Sequence, residues 1–241
     1  MLTESPNNNT VKFARTFSDI YLESGAENYS TTTEILANFP KANIIKIDRY
    51  QEVFNRNQQN FREQKKAQKL ILATKKDSLL YDGSEYTPDY NHPHFYYNAM
   101  ILNCLYDCSY CYLQGMFNSA NLLVFVNAED FITAALDKLA ELKSLLVSIS
   151  YDTDLLALEN IAGFNAKWIE TCHQYPALTV DSRTKSANYA AIKNCTPADN
   201  FILAWTLSPE SIVKQHEPMT ASLKGRVKSI ANALNLSLIH I

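Results

Sequence analysis

Apolar residues along the chain gather into short runs, separated by polar segments of helical period. Residues 42–48 (ANIIKID) and 70–74 (LILAT) predict strands. Between them, residues 50–68 place Phe54 and Phe61 two turns apart, which predicts a helix. STTTE at 30–34, ahead of Ile35 and Leu36, resembles a capping box opening a short helix that ends before Pro40. Residues 77–94 hold two prolines and the turn-like Asp82-Gly83, and predict a loop and a boundary.

From His94 the pattern becomes regular. Residues 95–103 predict an apolar, aromatic strand running straight into a group of cysteines, and 122–126, 145–150, 178–183 and 201–207 predict four more strands. Helices are predicted over about residues 128–142, capped by Asn127, and near 154–161, 164–174 and 220–234. Ser208-Pro209-Glu210 opens another. Strands alternating with helices imply parallel βαβ units in an α/β fold, with active sites at the C-terminal ends of the strands. Five strands are too few for an eight-stranded barrel and suit an open, partial one. The expected organisation is an N-terminal α/β region over residues 1–90, its first 17 a loosely held polar tail, and an incomplete barrel over 91–235.

At 241 residues the chain can bury a sizeable core. Its formal charge of −3 gives no global pull towards nucleic acid, so any such binding needs a local patch. Residues 46–76 supply one, with nine Lys or Arg against three Asp or Glu. Such a run tracks phosphates or forms a solvated helix face. Tyr86, Tyr90, Phe95, Tyr96 and Tyr97 offer stacking surfaces to bases or pack the mouth of the barrel. No run approaches the ~20 apolar residues that cross a bilayer, and the N-terminus has no apolar core behind a basic start. The cytoplasm, with no membrane partner, is the expected location. Five glycines leave no GxGxxG or Walker A loop.

The five cysteines are unevenly placed: three crowd into eight residues, while Cys172 and Cys195 stand alone. A disulfide framework is not spaced so, and a metal site is. Cys104, Cys108 and Cys111 form C-x3-C-x2-C, a spacing that lets each thiolate bind a different iron of a cubane. Three cysteines leave one iron open to a small molecule. The other reading is a zinc knuckle, which closes tetrahedrally and needs a nearby fourth Cys or His. His92 and His94 are the local candidates, both on the far side of the predicted strand.

C-x3-C-x2-C directly after the first strand of a βα repeat resembles the signature of radical S-adenosylmethionine (SAM) enzymes. The string NCLYDCSYCYLQ at 103–114 is similar to the spore photoproduct lyase family within them. TDLLALENIAG at 153–163, RTK at 183–185, and EPMT at 217–220 with Arg226 resemble further blocks of that family. The resemblance runs from about residue 95 to 234, more loosely over the N-terminal region. It implies a partial, open (β/α)6-type radical SAM barrel, here C-terminally truncated. It also implies a [4Fe–4S] cluster on Cys104, Cys108 and Cys111, with SAM chelating the open iron. One electron, from a donor such as flavodoxin or ferredoxin, would then yield a 5′-deoxyadenosyl radical. The substrate of the family enzyme is a thymine lesion in DNA.

By the same resemblance, Tyr112 stands at the SAM site and Tyr110 in a hydrogen-atom relay; packing around the cluster is the plainer role of both. Thr153 and Asp154 match a polar pair at the SAM site, or cap a helix. Lys185 would pair with the SAM carboxylate, or is a solvated charge. Thr206 stands in for a family serine at a strand end. One departure concerns Tyr151, which falls where the family carries a hydrogen-donating cysteine. It leaves open a second reading, the same radical chemistry on another substrate, beside a third, a non-catalytic zinc or Fe–S module. Residues 236–241 resemble a translated sequencing adapter, and their apolar alternation alternatively suits a strand.

Overall fold

The computed structural model describes residues 17–235; of the tail expected over 1–17, residues 1–16 lie outside it, as do the adapter-like residues 236–241. The N-terminal elements are β1 (Asp19–Glu23), α1 (Ser30–Ala37), β2 (Asn43–Ile47), α2 (Gln51–Phe54), α3 (Phe61–Lys66) and β3 (Leu70–Ala73). There follow β4 (Tyr81–Asp82), β5 (Phe95–Tyr97), β6 (Ile101–Leu102), α4 (Leu113–Met116), β7 (Leu122–Phe125), α5 (Ala128–Leu142) and β8 (Leu145–Ser148). The last are α6 (Leu155–Ala162), α7 (Phe164–Gln174), β9 (Leu178–Thr184), β10 (Phe201–Trp205), α8 (Glu210–His216) and α9 (Leu223–Asn235).

Among the described residues two five-stranded sheets form, in the orders β2-β1-β3-β7-β6 and β10-β9-β8-β5-β4. Every ladder is parallel except those of the short end strands, β6 on β7 and β4 on β5. The core strands β3, β7 and β8 are buried along their whole length, as parallel strands covered on both faces must be. One apolar cluster spans both sheets, from Ile20 and Leu72 to Val180 and Leu203.

Several expectations are corrected at the level of elements. The strand predicted over 95–103 is broken: Phe95–Tyr97 pairs with β8, and Ile101–Leu102 turns back along β7. The step between them is held by Asn98 N–H on the Ser148 carbonyl (3.1 Å) and Phe125 N–H on the Met100 carbonyl (2.9 Å). The segment thereby links the two sheets. The helix predicted over 50–68 is two short helices. Gln59 Nε2 caps the carbonyls of Val53, Phe54 and Arg56, and Asn60 Oδ1 accepts from Glu63 N–H, so amide side chains end one helix and begin the next.

The helix at 30–37 forms without a capping box; its N-cap is Tyr29, with no side-chain cap. Asn127 does sit at the N-cap of α5, but its amide bridges the N–H and carbonyl of Lys75 instead. The loop at 77–94 contains β4, and the ladder of β3 on β7 crosses the boundary expected near residue 90.

Candidate functional site

The cysteine loop starts at Asn103, whose φ of 69° turns the backbone out of β6. Asparagine tolerates this left-handed conformation, and its Nδ2 fixes the turn on the carbonyls of Ser119 (2.7 Å) and Asn121 (2.8 Å). The loop is then held from both sides. Lys65 Nζ (2.6 Å) and Gln68 Nε2 (3.1 Å) donate to the Cys104 carbonyl. Ser109 N–H donates to the His216 carbonyl and Asp107 N–H to that of Pro218.

The loop and the C-terminal ends of β8, β9 and β10 enclose a cavity of about 240 Å³. Of the residues singled out in the sequence, Cys104, Cys108, Cys111, Tyr112, Tyr151 and Thr153 line it. So do Asp154, Lys185 and Thr206. Tyr110 is outside that lining, although Lys185 Nζ lies 5.6 Å from its ring centroid. Cys172 and Cys195 are remote from it; Cys172 is buried, with its thiol towards the Asn200 carbonyl. Tyr106, Ser150, Arg183 and Thr184 also line the cavity. Position within the cysteine loop or the RTK segment was the available signal for three of them; nothing in sequence marks Ser150.

Each polar residue has a definable job. Asp154 caps α6 by accepting from Ala157 N–H (3.0 Å), and also accepts from Thr184 Oγ1 (2.7 Å) and Lys185 N–H (2.6 Å). It thus bolts the end of β9 to the start of α6, which is the capping role. Burial raises its pKa. Tyr112 Oη donates to the Tyr151 carbonyl (2.7 Å) and Asp152 Oδ1 (2.9 Å). Burial, then the Asp152 carboxylate, raise its pKa, so the phenol keeps its proton.

Tyr110 Oη donates to Glu217 Oε1, and burial, then that carboxylate, likewise hold its pKa up. Glu217 and Arg226 form an ion pair (2.5 Å) with both side chains fully buried. Arg226 further donates to the carbonyls of Thr206 and Ala221 and to Thr220 Oγ1, anchoring α9 beneath the strand ends. Tyr151 stacks on Tyr97 (4.1 Å between centroids), Tyr97 stacks on Tyr81 (5.1 Å), and Lys75 Nζ donates to Tyr81 Oη (2.8 Å). The expected barrel-mouth packing of Tyr97 is therefore what it does.

Two observations test which group the residues suit. Burial pushes the Cys104 thiol up to about 12 and raises Cys108 as well, so only a bound cationic centre would make them thiolates. Thr153 Oγ1 is buried and has no hydrogen-bond partner, so a polar ligand group would satisfy it. Among the described residues no three His, Cys, Asp or Glu converge as one ion would require. His92 Nδ1 is engaged with the backbone of His94, and neither histidine lines the cavity. Three thiols in one lining with an orphan hydroxyl fit a sulfur-ligated cluster beside a polar small molecule better than a zinc knuckle.

Parallel strands curving round a C-terminal mouth, with the cysteine loop following the strand that links the sheets, define a partial radical-SAM-type barrel. Residues 16–237 match the family model described as Spore photoproduct lyase, and the chain belongs to that family. No match is found among curated proteins. Similar solved structures include a spore photoproduct lyase mutant (18% identity, TM-score 0.79) that covers 92% of this chain. Another is spore photoproduct lyase complexed with dinucleoside spore photoproduct (17%, TM-score 0.79, 92% of this chain). A third is a double mutant of the lyase with bound AdoMet and dinucleoside spore photoproduct (17%, TM-score 0.79, 92% of this chain). The chain spans 66% of the first of these and 65% of the other two. At these identities the likeness shows the fold. Among the described residues no helix is long and apolar enough to cross a membrane.

Proposed function

We propose that this chain is a radical SAM enzyme of the spore photoproduct lyase family that acts on thymine photoproducts in DNA. The observation that carries the reading is one cavity gathering Cys104, Cys108 and Cys111 with Thr153 and Lys185. A [4Fe–4S] cluster on the three thiols, with SAM on its open iron, would supply a 5′-deoxyadenosyl radical by one-electron cleavage of SAM. The relatives' structures with AdoMet and dinucleoside spore photoproduct support the choice of ligand and lesion.

The chain's own residues position these partners. Lys185 offers its ammonium to the SAM carboxylate, and Asp154 holds the Lys185 backbone where that is possible. The unpartnered Thr153 hydroxyl meets a polar group of the ligand. Tyr151 lines the cavity with its hydroxyl 3.3 Å from Thr87 Oγ1. It would give its phenolic hydrogen atom to the product radical and itself become a tyrosyl radical, with Tyr112 next to it along the same wall.

A second reading rests on that same tyrosine. A phenol where the family carries a thiol suits a different substrate radical, and with it a different substrate of the same branch. Anaerobic reconstitution with iron and sulfide, then reduction in the presence of SAM, tests both. A brown protein that releases 5′-deoxyadenosine and converts dinucleoside spore photoproduct to two thymidines supports the first reading. Release without conversion, unchanged by Tyr151→Cys, supports the second. A colourless protein holding one zinc would falsify both.

A further inference from the structure

The cysteine loop has a second face. While the three thiols line the cavity of about 240 Å³, Asp107, Ser109 and Gln114 of the same loop line a separate open groove of about 900 Å³. The rest of the groove comes from α3, with Phe61, Arg62, Lys65 and Lys66, and from Pro218 and Met219 beyond α8. The two linings share no residue, so the loop is the partition between them. We propose that this groove is the docking surface for an acidic one-electron carrier protein that reduces the cluster; this rests on the radical SAM reading above.

The chemistry needs such a surface. An electron must arrive from outside without occupying the cavity that holds SAM and substrate, and transfer is efficient only across a thin barrier. The groove meets this. Ser109 is the chain neighbour of Cys108, and Lys65 lines the groove while its ammonium donates to the Cys104 carbonyl at 2.6 Å. One hydrogen bond thus joins the groove to a cysteine's own peptide group. The step balances simply: one electron leaves the carrier's reduced centre, the cluster gains it, and no bond forms or breaks in the groove.

Charge identifies the partner. The lining holds three cations, Arg62, Lys65 and Lys66, against one carboxylate, Asp107, which accepts from Gln114 Nε2 (2.7 Å). Of the cations, Lys65 is buried on the Cys104 carbonyl and Lys66 pairs with Glu63 (2.7 Å). The chain as a whole carries −3, so the groove is a basic feature on an acidic protein. Arg62 and Lys66 are exposed, as is half of Met219, which gives the apolar contact within a charged frame that protein interfaces use. A nucleic acid would meet the same cations. It would also face the Asp107 carboxylate, and a lesion bound there would lie on the wrong side of the loop from the cavity.

The test follows cluster bleaching by stopped flow in the anaerobically reconstituted full chain, with photoreduced flavodoxin as the probe and dithionite in parallel. The expected result is a flavodoxin rate that falls with added salt and drops at least ~10-fold in R62E/K66E. Dithionite reduction of that variant, and flavodoxin reduction of K228E on α9, should match the parent. Both changed side chains are exposed, so the fold is not at stake. An unchanged flavodoxin rate in R62E/K66E overturns the proposal and leaves the radical SAM reading standing. Weakened binding of single-stranded oligothymidylate, with flavodoxin unaffected, overturns it in favour of a nucleic-acid groove. A chain that takes up no cluster brings down the underlying reading, and the groove with it.

Discussion

Tyr151 illustrates how one side chain can carry two jobs that a mutation separates. Its ring belongs to the Tyr81–Tyr97–Tyr151 stack, and its hydroxyl is the hydrogen donor proposed above. Tyr151→Phe keeps the stack and removes only the O–H. The expected outcome is 5′-deoxyadenosine release close to that of the parent, with product per 5′-deoxyadenosine lowered at least ~10-fold, a change of about 1.4 kcal/mol in the step concerned. Equal product yields from the two proteins would remove Tyr151 from the donor role.

Glu217 poses a different residue-scale problem, since its partner Arg226 is also wholly buried. Glu217→Gln leaves that guanidinium uncompensated and should cost about 3–5 kcal/mol in urea unfolding of the apoprotein. Burial pushes the Glu217 carboxyl up, but hydrogen bonds from Tyr110 and Arg226 outweigh it and leave its pKa below the ordinary 4.5. A depressed folded-state value means the contribution is complete above the unfolded value. It is lost as pH falls through the folded one. The stability gap between parent and E217Q should therefore be flat above about pH 4.5 and close only below it.

At the scale of elements, the join between α6 and β9 depends on Asp154. Asp154→Ala removes an N-cap, worth ~0.5–2 kcal/mol. It also orphans the Lys185 N–H beside a buried site, worth ~1–3 kcal/mol. Asp154→Asn can still accept from Ala157 and Thr184 through one oxygen, but turns its NH2 on the Lys185 N–H. Denaturant midpoints should fall in the order parent, Asn, Ala; an Asn variant as unstable as Ala would mean the cap is not the main term.

The same join shows what could be read beforehand. Helix α5 was legible to its ends because fifteen residues keep one apolar stripe. Most of the cavity's lining was legible because cysteine spacing and strand ends are local features. The split helix at 51–66 was not, because what ends it is the reach of Gln59 and Asn60. The broken strand at 95–102 was not either, since both halves are apolar and only their partners differ. β1 went unseen because five residues of mixed polarity become a central strand only once β2 and β3 flank them.

For the whole molecule, the question is whether the barrel half stands without the first ninety residues. β3 lies between β1 and β7, and Leu70, Ile71 and Leu72 are fully buried in a core shared with both sheets. Deleting them leaves an equivalent apolar area of β7 and the shared core uncovered, at a cost of ~5–9 kcal/mol, comparable to the entire stability of a typical domain. Removing residues 1–90 would also take away Lys65 and Gln68 from the Cys104 carbonyl, and Gln64 Oε1 from Ala120 N–H. The cysteine loop would lose one of the two sides that hold it, and β7 would become a bare apolar edge. A chain of residues 91–235 is therefore expected to show no cooperative thermal transition and to retain little iron after reconstitution, where the full chain shows both. A cooperative melt and full iron loading in the shorter chain would instead make the first ninety residues a separable domain, and the loop's hold on the cluster a property of the barrel alone.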